Sequence, residues 1–201
     1  MAARPMSAAD PLSPTPSLMR ALEKMDNAPP FSADLPPITT SAPEPKVADL
    51  RPLFANDDRV CADIHKRADA AAAWPSYEMT SALAASGRAG WLAMVDGKPA
   101  GFLLYQDLGI EAEIIMLAVD PAYQRRGIAR QMLKKLIDVL RARGFMQVLL
   151  EVAADNQAAI GLYQQFEFAL FGQRLAYYRR GLKRIDALLW RLVLGETGTA
   201  R

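Results

Sequence analysis

The chain has 201 residues, 51% of them apolar, and a formal net charge of +2. That length allows one domain with at most an appendage, the apolar share supplies a full core, and so small a charge gives no ground for nucleic-acid binding. With one cysteine, Cys61, and one histidine, His65, an internal disulfide, a multi-cysteine zinc site, a histidine-centred triad and a multi-His metal site are all excluded.

No apolar run approaches the roughly 18 to 20 residues that cross a bilayer. The protein is therefore expected to be soluble and cytoplasmic, with no membrane partner.

Residues 1–45 differ in composition from the rest of the chain. They hold ten of the fourteen prolines, mixed with Ala, Ser and Thr, and such a segment buries too little to offset its ordering entropy. A disordered tail is expected there. Within it Leu18, Leu22 and Met25 share one face of a helix-compatible stretch, Ser17–Met25. It reads either as a docking peptide or as tail without a defined role, because a lone helix that short is marginal in water. A targeting peptide fits poorly, since Arg is sparse and Asp10, Glu23, Asp26 and Asp34 are acidic.

A folded domain is expected over residues 46–195, followed by a short polar tail at 196–201. Val47–Phe54 reads as a first strand, placed at a sheet edge by Pro52. Asn56-Asp57-Asp58 can cap a helix reaching about Ala70. Trp74-Pro75-Ser76 is a break, with Ser76 placed to cap a second helix to Ala85 that Gly87 and Gly90 end. Strands at Trp91–Val95 and Gly101–Gln106 are joined by Asp96-Gly97, a strong hairpin signal.

The apolar, branched run Glu113–Val119 is the next strand, and Asp120-Pro121 stops it. A helical stripe comes after it, carrying Ile128, Met132, Leu133, Leu136, Ile137 and Leu140 and ended by Gly144. Met146–Val152 is a further apolar strand. Asp155-Asn156 caps a helix over Gln157–Gln165, and Phe168–Tyr178 with Arg184–Leu194 closes the domain as paired strands. The order β-α-α-β-β-β-α-β-α-β-β gives an α/β protein with a mixed sheet.

Between the central strand and its helix lies Gln124-Arg125-Arg126-Gly127-Ile128-Ala129. A strand that ends in a basic, glycine-bearing turn and opens a helix can hold phosphate. The first N–H groups of the helix lack partners, its dipole favours an anion, and Gly127 lets a ligand reach the backbone. A solvated helix start with two surface arginines is the plainer alternative. No G-x-x-x-x-G-K-[ST] and no G-x-G-x-x-G occurs in the chain.

This turn resembles the acetyl-CoA pyrophosphate loop of the GNAT-type N-acetyltransferases, with Ala129 in the last small position. A second block, Val148–Tyr163 (VLLEVAADNQAAIGLY), resembles the L-E-V-R-x-S-N-x-x-A-I-x-L-Y run of the ribosomal-protein-alanine N-acetyltransferases, the RimI type. Leu150-Glu151-Val152, Asn156, Ala159-Ile160 and Leu162-Tyr163 all match it. Tyr177-Tyr178, Asp186-Ala187 and Trp74-Pro75-Ser76 are similar to that family's Y-Y, D-A and P-W-S. The likeness covers about residues 47–194. Two departures stand out: Ala153-Ala154-Asp155 replaces Arg-x-Ser and removes a positive charge, and Phe166-Glu167-Phe168 replaces L-G-F and loses a helix-ending glycine.

The resemblance implies a GNAT fold, with a mixed, mostly antiparallel central sheet whose central strands splay, flanked by helices. It implies direct transfer of acetyl from acetyl-CoA, without a metal, to the N-terminal alanine amine of a small-subunit ribosomal protein. Glu151 would be the general base and Tyr163 the general acid. Acetyl-CoA would be held by the main chain of Leu117, Ala118 and Val119 and by Arg125, Arg126, Gly127, Ile128, Ala129 and Arg130.

The residues themselves leave alternatives. Glu151, near the end of an apolar strand, is costly to bury unless paired, so desolvation should raise its pKa; otherwise it faces solvent. Tyr163 lies on an apolar stripe and also fits a core tyrosine. Asn156 either contacts the cofactor or caps its helix, and Leu117–Val119 are equally good core residues. Glu113 is the rival base, since other branches of the superfamily place theirs on that strand. Cys61 and His65, four apart on one helix, can face each other. Trp74 and the tyrosine pair either line the acceptor mouth or close the core. Two other functions remain open: a GNAT acting on a lysine side chain or small-molecule amine, and a CoA-binding interaction protein without turnover.

Overall fold

A computed structural model describes residues 48–70 and 73–195. The expected tails at 1–45 and 196–201, and the Ser17–Met25 stretch, lie outside the described residues. The elements are β1 (Asp49–Pro52), α1 (Asp58–Ala68), α2 (Ser76–Ala84), β2 (Arg88–Val95), β3 (Lys98–Asp107), β4 (Glu111–Val119), α3 (Ile128–Ala142), β5 (Gln147–Ala153), α4 (Gln157–Gln165), β6 (Ala169–Arg180) and β7 (Lys183–Val193). The seven strands form one sheet in the order β1-β2-β3-β4-β5-β7-β6. Every pairing is antiparallel except β4 with β5.

The expected α/β architecture with a mixed sheet is what forms, and β1, with Pro52, sits at an edge. The Asp96-Gly97 turn takes positive φ at both residues, 49° and 73°, which matches the twist of the strands it joins. One face of the sheet is covered by α3, whose Ile128, Met132, Leu133, Leu136, Ile137 and Leu140 join Tyr105, Ile114, Leu150 and Trp190 in the main core cluster. The alternate residues Phe102 and Leu104 are also buried. By the period of a strand they point to the other face, and α1, which packs on β3 and β4, brings in Cys61 and Ile64.

Three local expectations are corrected. Asp57 makes no side-chain bond to the helix it precedes; its carboxylate accepts from Phe54 N at 2.9 Å and pairs with Arg51 at 2.6 Å. Ser76 is the first helical residue, and the carbonyl of Pro75 accepts from Glu78 N and Met79 N. Gly90 lies inside β2 rather than at a helix end, where an added Cβ would stand 1.9 Å from the carbonyl oxygen of Leu103 on β3. Close backbone approach, not helix termination, requires glycine there.

The missing glycine after α4 has a structural counterpart. Glu167 occupies the left-handed region at φ 64°, while Phe168 N donates to Tyr163 O and Glu167 N to Gln164 O. That is the helix-ending pattern usually given to glycine. A residue with a Cβ pays roughly 1 kcal/mol for that conformation. Glu167→Gly is expected to stabilise the fold by about 1 kcal/mol and to raise the midpoint of a thermal melt by about 2–4 °C. An unchanged or lower midpoint counts against strain at Glu167.

Candidate active site

The parallel contact between β4 and β5 is short. It joins Glu111–Ile114 to Gln147–Leu150 and stops there. Beyond it β4 pairs with β3 alone as far as Val119, helped by a register shift that leaves Ile115 unopposed. The edge of β4 that faces β5 therefore has no strand partner over residues 115–119 among the described residues. The expected splay is present, and a cavity of about 620 Å³ opens in it. Leu117, Ala118 and Val119 line that cavity on one side, and α4 lines it on the other through Asn156, Ala159, Leu162 and Tyr163.

The turn after β4 closes one end. Asp120 holds it, accepting from Ala122 N at 2.9 Å and from Arg67 Nε at 2.7 Å. The Ala122 N–H and the Arg67 guanidinium keep this carboxyl below the usual range. Arg125 and Gly127 both have left-handed backbones, at φ 61° and 79°, which swings the chain into α3. The first intrahelical bond runs from Gln131 N to Gly127 O, so the N–H groups before it are left for a ligand. Arg125, Gly127, Ile128, Ala129 and Arg130 line the cavity. Arg126 does not; it is exposed and lies over the Tyr123 ring at 5.3 Å. Arg130 reaches across to α4, donating to Gln165 Oε1 at 3.1 Å. Asn156 caps α4 through Ala159 N at 3.1 Å, and it also lines the cavity.

Glu151 stands one residue past the last β4–β5 pair. It is neither bare nor solvent-facing. Arg174 Nη1 lies 3.0 Å from its Oε2, and the Tyr178 hydroxyl donates to its Oε1 at 2.8 Å. Burial, then the neighbouring carboxylate, pushes the Tyr178 hydroxyl up, so it remains a donor. Pairing of this kind is what makes a buried carboxylate tolerable. Tyr163 is buried against Phe168 with ring centroids 5.6 Å apart, and burial raises its pKa as well.

Glu113 differs from Glu151. It is buried on β4 beside Gln106 of β3 and Leu149 of β5, and its Oε2 meets no hydrogen-bond partner. Burial pushes it up to about 7, with Arg88 opposing the rise and Glu151 adding to it.

The far end of the cavity carries groups that sequence reading passed over. Arg180 of β6 lies 2.9 Å from Asp69 Oδ2 and 3.6 Å from Asp155 Oδ2, and all three line the cavity. A cation from β6 thus stands beside Asp155, in the turn where the sequence lacks a basic residue. No local spacing links positions 69, 155 and 180; they come from the end of α1, from the turn after β5 and from β6, and only the tertiary fold brings them together. Cys61 and His65 do not act as a pair. Cys61 is wholly buried and its thiol is pushed up to about 12 by burial. His65 lines the cavity instead, its Nδ1 accepting from Trp74 N at 3.3 Å. Tyr177 is exposed and packs edge-on against Tyr178 at 5.1 Å. Among the described residues no cluster of three or more His, Cys, Asp or Glu could hold a metal ion, and no helix is long and apolar enough to cross a membrane.

A sheet that parts between β4 and β5 beside a glycine-bearing helix start is the architecture of an acyl-CoA-using transferase fold, and the family comparison agrees. Residues 55–168 match the Acetyltransferase (GNAT) family. The chain belongs to that family, and within it to the RimI type. It is 42% identical over 97 residues to the [Ribosomal protein bS18]-alanine N-acetyltransferase of Escherichia coli (strain K12), covering 48% of this chain and 66% of that one. It is 35% identical over 158 residues to the N-alpha-acetyltransferase RimI of Mycobacterium tuberculosis, covering 74% of this chain and 89% of that protein. The crystal structure of the ribosomal-protein-S18-alanine N-acetyltransferase from Escherichia coli superposes with a TM-score of 0.72 at 33% identity, over 76% of this chain and 97% of that one.

Proposed function

We propose that the protein is an acetyl-CoA-dependent N-alpha-acetyltransferase that acetylates the N-terminal alanine of a ribosomal protein, in the cytoplasm where such proteins are made. The observation that carries this reading is the convergence of two unsatisfied backbone sets on one cavity. The open edge of β4 offers strand-like hydrogen bonds to a pantetheine arm, and the start of α3 offers N–H groups, a helix dipole and Arg125 and Arg130 to a pyrophosphate. Leu117, Ala118, Val119, Gly127, Ile128 and Ala129 supply the backbone contacts, with Arg126 close outside and Asn156 at the opposite wall. The small-subunit protein bS18 named for the Escherichia coli relative makes its counterpart the first acceptor to test.

The co-substrate supplies a thioester; this chain supplies the proton transfers. Glu151 takes a proton from the incoming α-ammonium, directly or through water. Each of its oxygens keeps a second lone pair beside the bonds from Arg174 and Tyr178. The free amine attacks the thioester carbonyl. Tyr163, kept protonated by burial, gives a proton to the departing thiolate, and the second proton of the attacking nitrogen, released as the amide forms, restores the phenol directly or through water. A second reading makes Glu113 the base, favoured by its unpartnered Oε2 and its rise to about 7.

A peptide panel tests the acceptor. Peptides beginning with alanine and carrying a free N-terminus should be acetylated on the α-amine, as located by mass spectrometry, and N-terminally blocked copies should not react. Acetyl appearing on lysine or on small amines alone would support a different GNAT acceptor. Tight CoA binding without turnover on any amine would support an interaction protein.

A further inference from the structure

β6 is irregular where it passes Glu151. Arg174 stands opposite Ala187 and Tyr178 opposite Ile185, so Leu175, Ala176 and Tyr177 together face Asp186. In a regular strand, residues four apart lie about 13 Å from each other. Here the loop-out leaves Arg174 and Tyr178 facing positions only two residues apart on β7, a spacing of about 7 Å. The two side chains reach opposite oxygens of one carboxylate, Arg174 on Oε2 at 3.0 Å and Tyr178 on Oε1 at 2.8 Å.

This bulge is held against its own strain. Ala176 has a left-handed backbone at φ 52°, a conformation that disfavours any residue with a Cβ. Its N–H donates to Asp186 Oδ1 at 2.7 Å, and the carbonyl of Asp186 accepts from Ala154 N at 2.9 Å. One residue of β7 thereby ties the bulge to the turn that follows β5. The distortion gains no core burial, since Leu175 is 73% exposed. What it achieves is convergence on Glu151, and strain kept without a packing return points to the site it serves.

We infer that the β6 bulge, clamped by Asp186, is a positioning device whose Arg174 and Tyr178 orient the Glu151 carboxylate for proton abstraction. A donor on each oxygen fixes the plane of the carboxylate and compensates its charge, while each oxygen keeps a further lone pair for the proton. Arg174 and Tyr178 are positioning residues, and Asp186 acts one step further back. The inference rests on Glu151 being the base of the proposed transfer.

A double-mutant cycle tests it. Arg174→Gln should lower kcat by roughly 10- to 100-fold, at the low end of acid–base effects, with acetyl-CoA affinity by calorimetry unchanged. Asp186→Ala should give a loss of about 10-fold without touching the carboxylate. Arg174→Lys, which keeps the charge but loses the planar guanidinium, should fall between wild type and Arg174→Gln. In a Glu151→Gln background both changes should cost less than about 2-fold, because residues acting through one group are not additive. Losses that persist in full in that background, or no loss from Arg174→Gln in the parent, overturn the positioning role. If Asp186→Ala does not fold, the Arg174 cycle alone decides. A parent protein that binds acetyl-CoA but acetylates no amine overturns the transferase reading itself, a result distinct from an additive cycle.

Discussion

Replacing Glu151 with Gln should lower kcat by about 10² to 10⁴ while leaving acetyl-CoA binding intact, the range typical of general acid–base groups. Gln keeps the shape and can still accept from Tyr178, but its NH2 then meets the Arg174 guanidinium, so the loss is assigned to basicity only where acetyl-CoA affinity and the melting curve match the parent. Water can partly replace a base in an accessible cleft, which sets the result toward the lower end. Tyr163→Phe should cost less, since ordered water can protonate a thiolate. If Glu113 is the base, the ranking inverts: Glu113→Gln is crippling, Glu151→Gln is mild, and the acidic limb of kcat/KM, centred near 7, disappears with Glu113.

Stability gives a readout of Glu113 independent of turnover. Its folded pKa of about 7 exceeds the reference 4.5, so the unfolded chain releases this proton first. Stability should therefore fall as pH rises from about 4.5 to about 7, by up to about 3 kcal/mol. Glu113→Gln should flatten that fall and melt higher than the parent at pH 8 but not at pH 4. Equal pH dependence in both proteins would show that Glu113 is not perturbed, and near-parental turnover of Glu151→Gln at every pH would overturn its role.

Much of the fold was legible because its signals are local. The stripe from Ile128 to Leu140 has one helical solution, and Asp96-Gly97 has one good turn. The basic turn announced itself by residue type alone, since Gly127 and the orphan N–H groups of α3 need no tertiary partner to be recognised. The environment of Glu151 was not legible. Desolvation was expected for a lone carboxylate on an apolar strand; the partner guanidinium comes from Arg174, 23 positions on, through a bulge that no periodicity marks. Gly90 falls under the same limit, since its constraint is the carbonyl of Leu103 on the next strand. Glu167 shows the converse, where a glycine pattern was absent yet the left-handed turn formed, because the flanking Tyr163 and Phe168 bury together and hold it.

Gly127→Val should weaken acetyl-CoA binding by at least about 100-fold. The backbone at 127 is left-handed, φ 79°, at the first residue before α3, and a β-branched side chain resists that region strongly. If the turn relaxes to suit Val, the N–H groups of Ile128 and Ala129 swing away from their common focus. If it does not, a branched side chain stands where the pyrophosphate must come. Either way two or more charge-assisted hydrogen bonds are lost, each worth about 1.5–3 kcal/mol, and about 2.7 kcal/mol is already 100-fold. Gly127→Asn separates the two causes, because Asn tolerates the left-handed region. Conformation alone predicts near-parental affinity for Asn; occupation of the phosphate position predicts a loss close to that of Val. Isothermal titration of a Gly127→Val protein with an unaltered melting curve gives the measurement. Parental affinity there would mean that acetyl-CoA does not lie on this turn, and the assignment of the cavity between β4 and α4 would fall with it.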